Sequence, residues 1–335
     1  MIITITLNPS LDRTVEVDEL IRGRVLRAKG THLDPGGKGV NVTRALLANG
    51  VPSRAVVPVA GAEGAQLVEL LAAEKVDAVV VPVSGRTRSN ITVAEADGTV
   101  TKINEPGAAL TSAEVEMILD KALADAVPGG WVVLCGSLPP GAPDDTYARM
   151  TRRLAEAGLR VAVDTSGPAL ARAVEARPDL VKPNAEELAA AVGRPLPSRA
   201  DVVAAAQELR AAGVGRVLVS LGAAGAVLVD DDGVTVGESI ALEPRSTVGA
   251  GDAFLAGFLA FERAADHRRE ATGDGLSPAE VSREALRQAL AWGAAAVQLP
   301  GSQMPGPADI DPGTVHLFTD DVLDDRLAEP LVGTG

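Results

Sequence analysis

Residues 131–164 read WVVLCGSLPPGAPDDTYARMTRRLAEAGLRVAVD. An apolar run (131–134) gives way to a helical pattern (146–157), and a second apolar run (160–163) follows. Strands that are apolar almost throughout suit a parallel sheet covered by helices on both faces. The same alternation extends outward, with strands expected at 2–7, 54–59, 77–83, 180–181 and 216–220. Helices are expected at 40–49, 66–75, 114–127 and 200–212, and Thr111-Ser112-Ala113-Glu114 is a capping-box pattern. The expected fold class is α/β, a doubly wound, mostly parallel sheet with helices on both faces.

Two segments break this rhythm. Residues 13–33 contain the alternating run Thr14-Val15-Glu16-Val17-Asp18. Residues 89–105 hold two short runs around Asp97-Gly98, the signature of a hairpin. Both predict a small antiparallel β sheet, either a lid over a cleft or an edge extension. One domain is expected over 1–318, with lid segments 12–34 and 87–106 inserted. An acidic tail, 319–335, ends the chain.

Composition narrows the function. The 335 residues are 46% hydrophobic, enough for a large core, and 2% aromatic, too few for base-stacking platforms. A formal charge of −14 also argues against nucleic acid as a partner. Cys135 is the only cysteine, and three scattered histidines show no paired zinc spacing. The first residues read as a strand and no apolar run has membrane-spanning length, so a soluble cytoplasmic protein without a membrane partner is expected. A net-negative chain that handles an anionic metabolite must place its cations locally, which directs attention to lysines and arginines in glycine loops.

Four motifs carry chemistry. Ser246-Thr247-Val248-Gly249-Ala250-Gly251-Asp252-Ala253-Phe254 leads into a helical run at 255–265. Small residues there leave first-turn backbone N–H groups open to an anion. Donors aimed at a phosphoryl group in transfer lower its barrier, and Asp252 can accept the proton of an attacking hydroxyl or merely cap its helix. Phe254 stands where a dinucleotide fingerprint needs its third glycine.

Pro35-Gly36-Gly37-Lys38-Gly39-Val40-Asn41 fails as a Walker A loop, because Gly39 follows the lysine and His32 occupies the first glycine position. Lys38 still suits a small anion, and Asn41 a sugar hydroxyl. Lys182-Pro183-Asn184-Ala185-Glu186-Glu187 puts Asn184 and Glu187 on one helical face, a pair suited to hydrated magnesium. Leu218-Val219-Ser220-Leu221-Gly222-Ala223-Ala224-Gly225 ends a strand with small residues, where nucleotides bind in open α/β sheets, or makes a simple hairpin turn.

Together, in this order, the four motifs resemble the ribokinase-like (pfkB) family of carbohydrate kinases, from Asn8-Pro9-Ser10-Leu11-Asp12 to about Pro305. In Gly85-Arg86-Thr87-Arg88-Ser89-Asn90, Asn104-Glu105-Pro106-Gly107 and Gly136-Ser137-Leu138-Pro139-Pro140-Gly141 it resembles the phosphosugar branch of that family. The resemblance implies ATP and Mg2+, with phosphorylation of fructose 1-phosphate to fructose 1,6-bisphosphate. Tagatose 6-phosphate and fructose 6-phosphate are the alternative acceptors.

It also implies roles. Asp252 is the base, and the amides of Gly249, Ala250 and Gly251 form the anion hole. Asp12, Gly37 and Asn41 hold sugar hydroxyls, while Lys38 and Arg88, with Ser137 and Asn90 nearby, meet the substrate's own phosphate. Asn184 and Glu187 organise magnesium through water. Lys182, Asn184, Ser220, Gly222, Gly225, Thr247 and, in the adenine-side helix 288–297, Gly293 line the nucleotide site. The β lid implies a homodimer. Ser246-Thr247 replaces the Asp-Thr of many members, and Ala291-Trp292-Gly293-Ala294 lacks a polar residue found in some relatives. A nucleoside or vitamin kinase, a dinucleotide oxidoreductase and a silent binding protein remain as competing readings.

Overall fold

The computed structural model describes residues 1–239, 244–273 and 275–319. All but the first residue of the expected acidic tail lies outside them. The strands are β1 (Ile2–Thr6), β2 (Ser10–Val17), β3 (Gly30–Gly36), β4 (Ser53–Val59), β5 (Ala78–Pro82), β6 (Arg88–Glu95) and β7 (Val100–Asn104). They continue as β8 (Trp131–Cys135), β9 (Arg160–Asp164), β10 (Leu180–Val181), β11 (Val217–Ser220), β12 (Ala226–Asp230), β13 (Gly233–Ser239) and β14 (Val315–Thr319). The helices are α1 (Lys38–Ala48), α2 (Gly61–Ala73), α3 (Ser112–Asp125), α4 (Thr146–Glu156) and α5 (Gly167–Glu175). Then come α6 (Ala185–Val192), α7 (Arg199–Ala211), α8 (Ala250–Thr272) and α9 (Pro278–Val297).

The main sheet has the order β14-β13-β12-β11-β10-β9-β8-β1-β4-β5. Every pair from β5 to β11 is parallel, and β12 to β14 add an antiparallel edge. Residue parity explains the near-continuous apolar strands. Ile3, Ile5, Val132 and Leu134 enter one core with residues of α3 to α7, while Ile2, Trp131, Val133 and Cys135 enter another with α1, α8 and α9. Both faces are therefore buried.

The chain winds outward from β1 through β4 to β5, then returns to β8 on the other side of β1. Strand order reverses there, so the carboxyl ends Thr6 and Cys135, which are in register, mark the crevice where such sheets take ligands. The opposite end is closed by charge and ring contacts. Arg160 and Arg216 lie over the Trp131 ring at 4.6 and 5.7 Å, and Arg216 donates to both Glu262 oxygens at 2.6 and 3.0 Å.

The small sheet has the order β3-β2-β6-β7. Its two outer pairs are antiparallel hairpins, and β2 and β6 join them in parallel. That junction aligns Ser10 with Arg88 and Asp12 with Asn90, just beyond the crevice.

Helices α8 and α9 approach so closely that a Cβ on Gly257 would lie 2.8 Å from both the Gln288 carbonyl oxygen and Trp292 Cγ. Helix propensity alone favours alanine over glycine by about 1 kcal/mol. Gly257→Ala should nevertheless destabilise, by about 1–3 kcal/mol from overpacking, as a lowered denaturation midpoint; a raised midpoint would refute this packing account.

Candidate functional site

Helix α8 begins five residues earlier than its apolar pattern predicts, so Asp252 lies in its first turn and is 7% exposed. The turn needs Gly249, whose φ is +77° and whose added Cβ would meet Met304 Cε at 2.8 Å. Helix α1 also begins early, at Lys38, with Gly37 as its N-cap. The two N-termini converge, and Asn41 Nδ2 of α1 donates to Asp252 Oδ2 at 2.9 Å.

Asp164, the last residue of β9, is fully buried beneath them. Lys38 Nζ donates to its Oδ1 at 2.8 Å, and Lys182 Nζ lies 3.3 Å from its Oδ2. Lys38 also donates to Glu187 Oε1 at 3.3 Å. Burial disfavours the Asp164 charge, but Lys182 and Lys38 outweigh it and hold the carboxyl below its ordinary value. Lys38, for the same pairing, stays charged: burial opposes it, and Asp164 and Glu187 raise it. Burial and then Asp164 push Asp252 up to about 7, against the Asn41 hydrogen bond and the two lysines. A carboxylate poised there suits a general base.

Asn184 and Glu187 form a reciprocal capping box at the start of α6. Asn184 Oδ1 accepts from the Glu187 N–H at 2.8 Å, and Glu187 Oε2 accepts from the Asn184 N–H at 2.9 Å. Asn184 also bridges to Ser220, bringing the third and fourth motifs together. Gly222 opens a short 3-10 turn (Gly222–Ala224) after β11. Thr247 accepts through its carbonyl from the Ala250 N–H at 3.4 Å.

Two expected nucleotide-lining glycines have other reasons to be glycine. A Cβ on Gly225 would lie 2.1 Å from the Gly237 carbonyl oxygen, and one on Gly293 would lie 3.3 Å from Phe254 Cβ. Each admits a neighbouring element, β13 and α8 respectively.

On the small-sheet side, Asp12 accepts from Ser10 Oγ at 2.6 Å and from Asn90 Nδ2 at 2.9 Å. Burial raises Asp12, opposed by those hydrogen bonds and by Arg88. Gly36 is glycine because a Cβ would fall 2.4 Å from the Asp12 carboxyl. Arg88 Nε donates to the Asn8 carbonyl at 3.2 Å, and its terminal nitrogen to that of Glu105 at 3.3 Å. Asn8 Nδ2 donates to Ser137 Oγ at 3.4 Å. Asp12, Arg88, Asn90 and Ser137 thus form one polar group. Lys38 and Arg88 have different partners within the chain.

Sequence reasoning passed over Asp164 and Arg44. The signal for Asp164 was available, since it ends a strand at the carboxyl edge where ligands bind. Arg44 lies inside α1 and offers no such signal.

A glycine turn at a helix N-terminus, a buried carboxylate of raised affinity for protons and a lysine pair at a switch point define a phosphotransferase acting on an alcohol group. The chain belongs to the pfkB family carbohydrate kinases, whose family model matches residues 5–309. It is 39% identical to 1-phosphofructokinase of Rhodobacter capsulatus over 77% of this chain and 82% of that one. It is 35% identical to ATP-dependent 6-phosphofructokinase isozyme 2 of Escherichia coli (strain K12), covering 76% and 83%. Among solved structures, phosphofructokinase-2 from Escherichia coli in complex with potassium superposes with a TM-score of 0.82, at 34% identity over 92% of this chain and 96% of that one. As a kinase of this family the chain uses ATP. Among the described residues, no helix is long and apolar enough to cross a membrane.

Lys182 is 4% exposed and has Asp164 as its ion-pair partner. Removing one member of a buried pair typically costs about 3–5 kcal/mol. Asp164→Asn should lower stability by about 3 kcal/mol on denaturant titration. It should also move the acid limb of the kcat/KM profile to lower pH, because the like charge that raises Asp252 is gone. Wild-type stability in this variant would contradict the pairing.

Proposed function

We propose that the chain transfers the γ-phosphoryl group of ATP to the free C6 hydroxyl of fructose 1-phosphate, giving fructose 1,6-bisphosphate and ADP. The acceptor oxygen attacks γ-phosphorus, the bond to the β–γ bridging oxygen breaks, and Asp252 takes the hydroxyl proton. The observation that carries this reading is Asp252 itself: buried in the first turn of α8, held by Asn41, and pushed up to about 7. The N–H groups of Gly249, Ala250 and Gly251 open this helix and serve charge developing on the transferred group.

Asp12, Gly37, Asn41 and Asn90 bind the sugar on this reading, and Arg88 with Ser137 anchors its phosphate. Lys38, tied to Asp164 and Glu187, is reassigned to the transferred phosphoryl group. Lys182, Asn184, Ser220, Gly222 and Thr247 face the nucleotide, with Gly225 and Gly293 supporting that wall through backbone packing.

The donor set fits magnesium only as a hydrated ion. Among the described residues no three His, Cys, Asp or Glu side chains are placed to ligate a metal. Glu187 has both oxygens engaged, and Asn184 caps α6, so each would reach the ion through water. When bound, magnesium supplies positive charge that neutralises the ATP phosphates.

We also read the small sheet as a homodimer face, supported by Ile103 of β7, an apolar residue that is 56% exposed. ATP as donor supports a cytoplasmic setting. Fructose 6-phosphate is the second reading, favoured by the likeness to the 6-phosphofructokinase isozyme 2 named above.

Asp252→Asn should lower kcat by roughly 10²–10⁴ while ATP still binds, and wild-type kcat/KM should fall as pH drops through about 7, where Asp252 gains its proton. Full turnover by the variant would remove the base. A coupled assay across fructose 1-phosphate, fructose 6-phosphate and tagatose 6-phosphate should show the highest kcat/KM for the first, and Arg88→Ala should raise KM for that sugar about 10-fold or more, as loss of a charge-assisted contact. A higher kcat/KM on fructose 6-phosphate would favour the second reading.

A further inference from the structure

Asp252 is fixed by a chain of contacts that starts far from it. Arg44, one turn beyond Asn41 on α1, is 7% exposed. Its Nε and one terminal nitrogen donate to the two Glu74 oxygens at 2.6 and 2.9 Å. The other terminal nitrogen donates to Asn41 Oδ1 at 3.3 Å and to the Ser302 carbonyl at 3.1 Å. Asn41 in turn donates to Asp252.

An amide presents two ends of similar shape and opposite polarity, and its hydrogen-bond partners decide which end faces which way. Arg44 is a donor only, so whichever end of Asn41 meets it must be the oxygen. The NH2 end is then compelled toward the carboxylate. The planar fork makes this possible: two nitrogens grip Glu74 and a third is left for the amide. We infer that Arg44 is a positioning residue for phosphoryl transfer, fixing the Asn41 amide so that it donates to Asp252 and keeps that carboxylate ionised and aimed.

Without Arg44 the amide can turn over. Its oxygen would then face Asp252, which repels the ionised carboxylate and accepts a hydrogen bond from the protonated one. Proton affinity rises, and the active form becomes scarce at neutral pH. The ionisable groups facing Asp252 from the surrounding elements are Asp164 of β9, Lys38 of α1, Lys182 after β10 and Cys135 of β8. All four remain in place when Arg44 is replaced.

The inference rests on Asp252 as base, and the test separates the two. For Arg44→Met we expect the acid limb of kcat/KM to move up by about one pH unit, with kcat at pH 7 falling about 5-fold and recovering to within about 2-fold at pH 9. KM for sugar and ATP should stay near wild type. In an Asn41→Leu background, Arg44→Met should move the limb no further, because its effect passes through the amide. A pH-independent loss, or a shift that persists with Asn41→Leu, would overturn the inference: the first makes Arg44 purely structural, the second a bare charge. If Arg44→Met does not fold, Glu74→Met decides. That variant loosens the grip on Arg44 from an exposed position, so a smaller upward shift supports the inference and an unchanged profile overturns it. If Asp252→Asn keeps full turnover, the base assignment falls first; if Asp252→Asn is inactive and Arg44→Met loses activity equally at every pH, only Arg44 falls.

Discussion

Two lysines share three carboxylates at the centre of this structure, and the sharing is unequal. Asp164 holds both ammonium groups, at 2.8 and 3.3 Å, and Glu187 takes a second contact from Lys38. Asp252 is left with a neutral amide. At an effective dielectric near 20, unit charges 4 Å apart interact by about 4 kcal/mol, so which carboxylate owns the lysines decides which stays ionised. Asp164 is therefore held below the ordinary carboxylate range, and burial beside that fixed negative charge lifts Asp252. A structural acid and a chemical acid are made from the same residue type by the allocation of two cations.

The fold makes this allocation possible by bringing separate chain segments to one point. Asp164 ends β9, Lys182 follows β10, Lys38 opens α1 and Asp252 opens α8. Parallel strands all deliver their carboxyl ends to the same side, and the reversal between β1 and β8 leaves a crevice there for helix N-termini to line. The small sheet grows from the same edge: β2 begins four residues beyond β1, and β6 lies beside it in parallel. Arg88 and Asn90 are thereby set beside Asn8 and Asp12, within a chain whose net charge of −14 would otherwise repel an anion.

Much of this was legible in the sequence because glycine turns, apolar strands and helix starts are local signals. The parallel sheet, the hairpin around Asp97-Gly98 and the glycine turns at Gly37 and Gly249 follow from short windows, whereas the meeting of those two turns is long-range. The position of Asp164 at a strand's carboxyl edge was a local signal, but its pairing with two lysines distant in sequence was not legible. Arg44 is harder still: its partners Glu74 and Ser302 are 30 and 258 positions away, and inside a helix an arginine looks like surface. The antiparallel edge of β12 to β14 was not legible, because it depends on pairing between distant residues such as Val236 and Phe318. That Lys38 and Arg88 have different hydrogen-bond partners is visible only in the folded chain.

The same separation of causes sorts the glycines. Gly225 and Gly293 admit a neighbouring backbone or helix, and Gly249 needs a left-handed turn beside Met304, so the fold alone accounts for them. Gly251 is different. Its φ is not positive, and an added Cβ would come no closer to a neighbour than 3.7 Å, to Lys182 Nζ, an ordinary contact. Alanine would also be the better helix former there. Nothing in the packing of the chain asks for glycine at 251. A methyl at that position would instead lie 3.7 Å from Lys182 Nζ, on the side where the proposed reaction brings the phosphoryl group. On that proposal the bare backbone at Gly251 answers to what approaches it, one residue before Asp252.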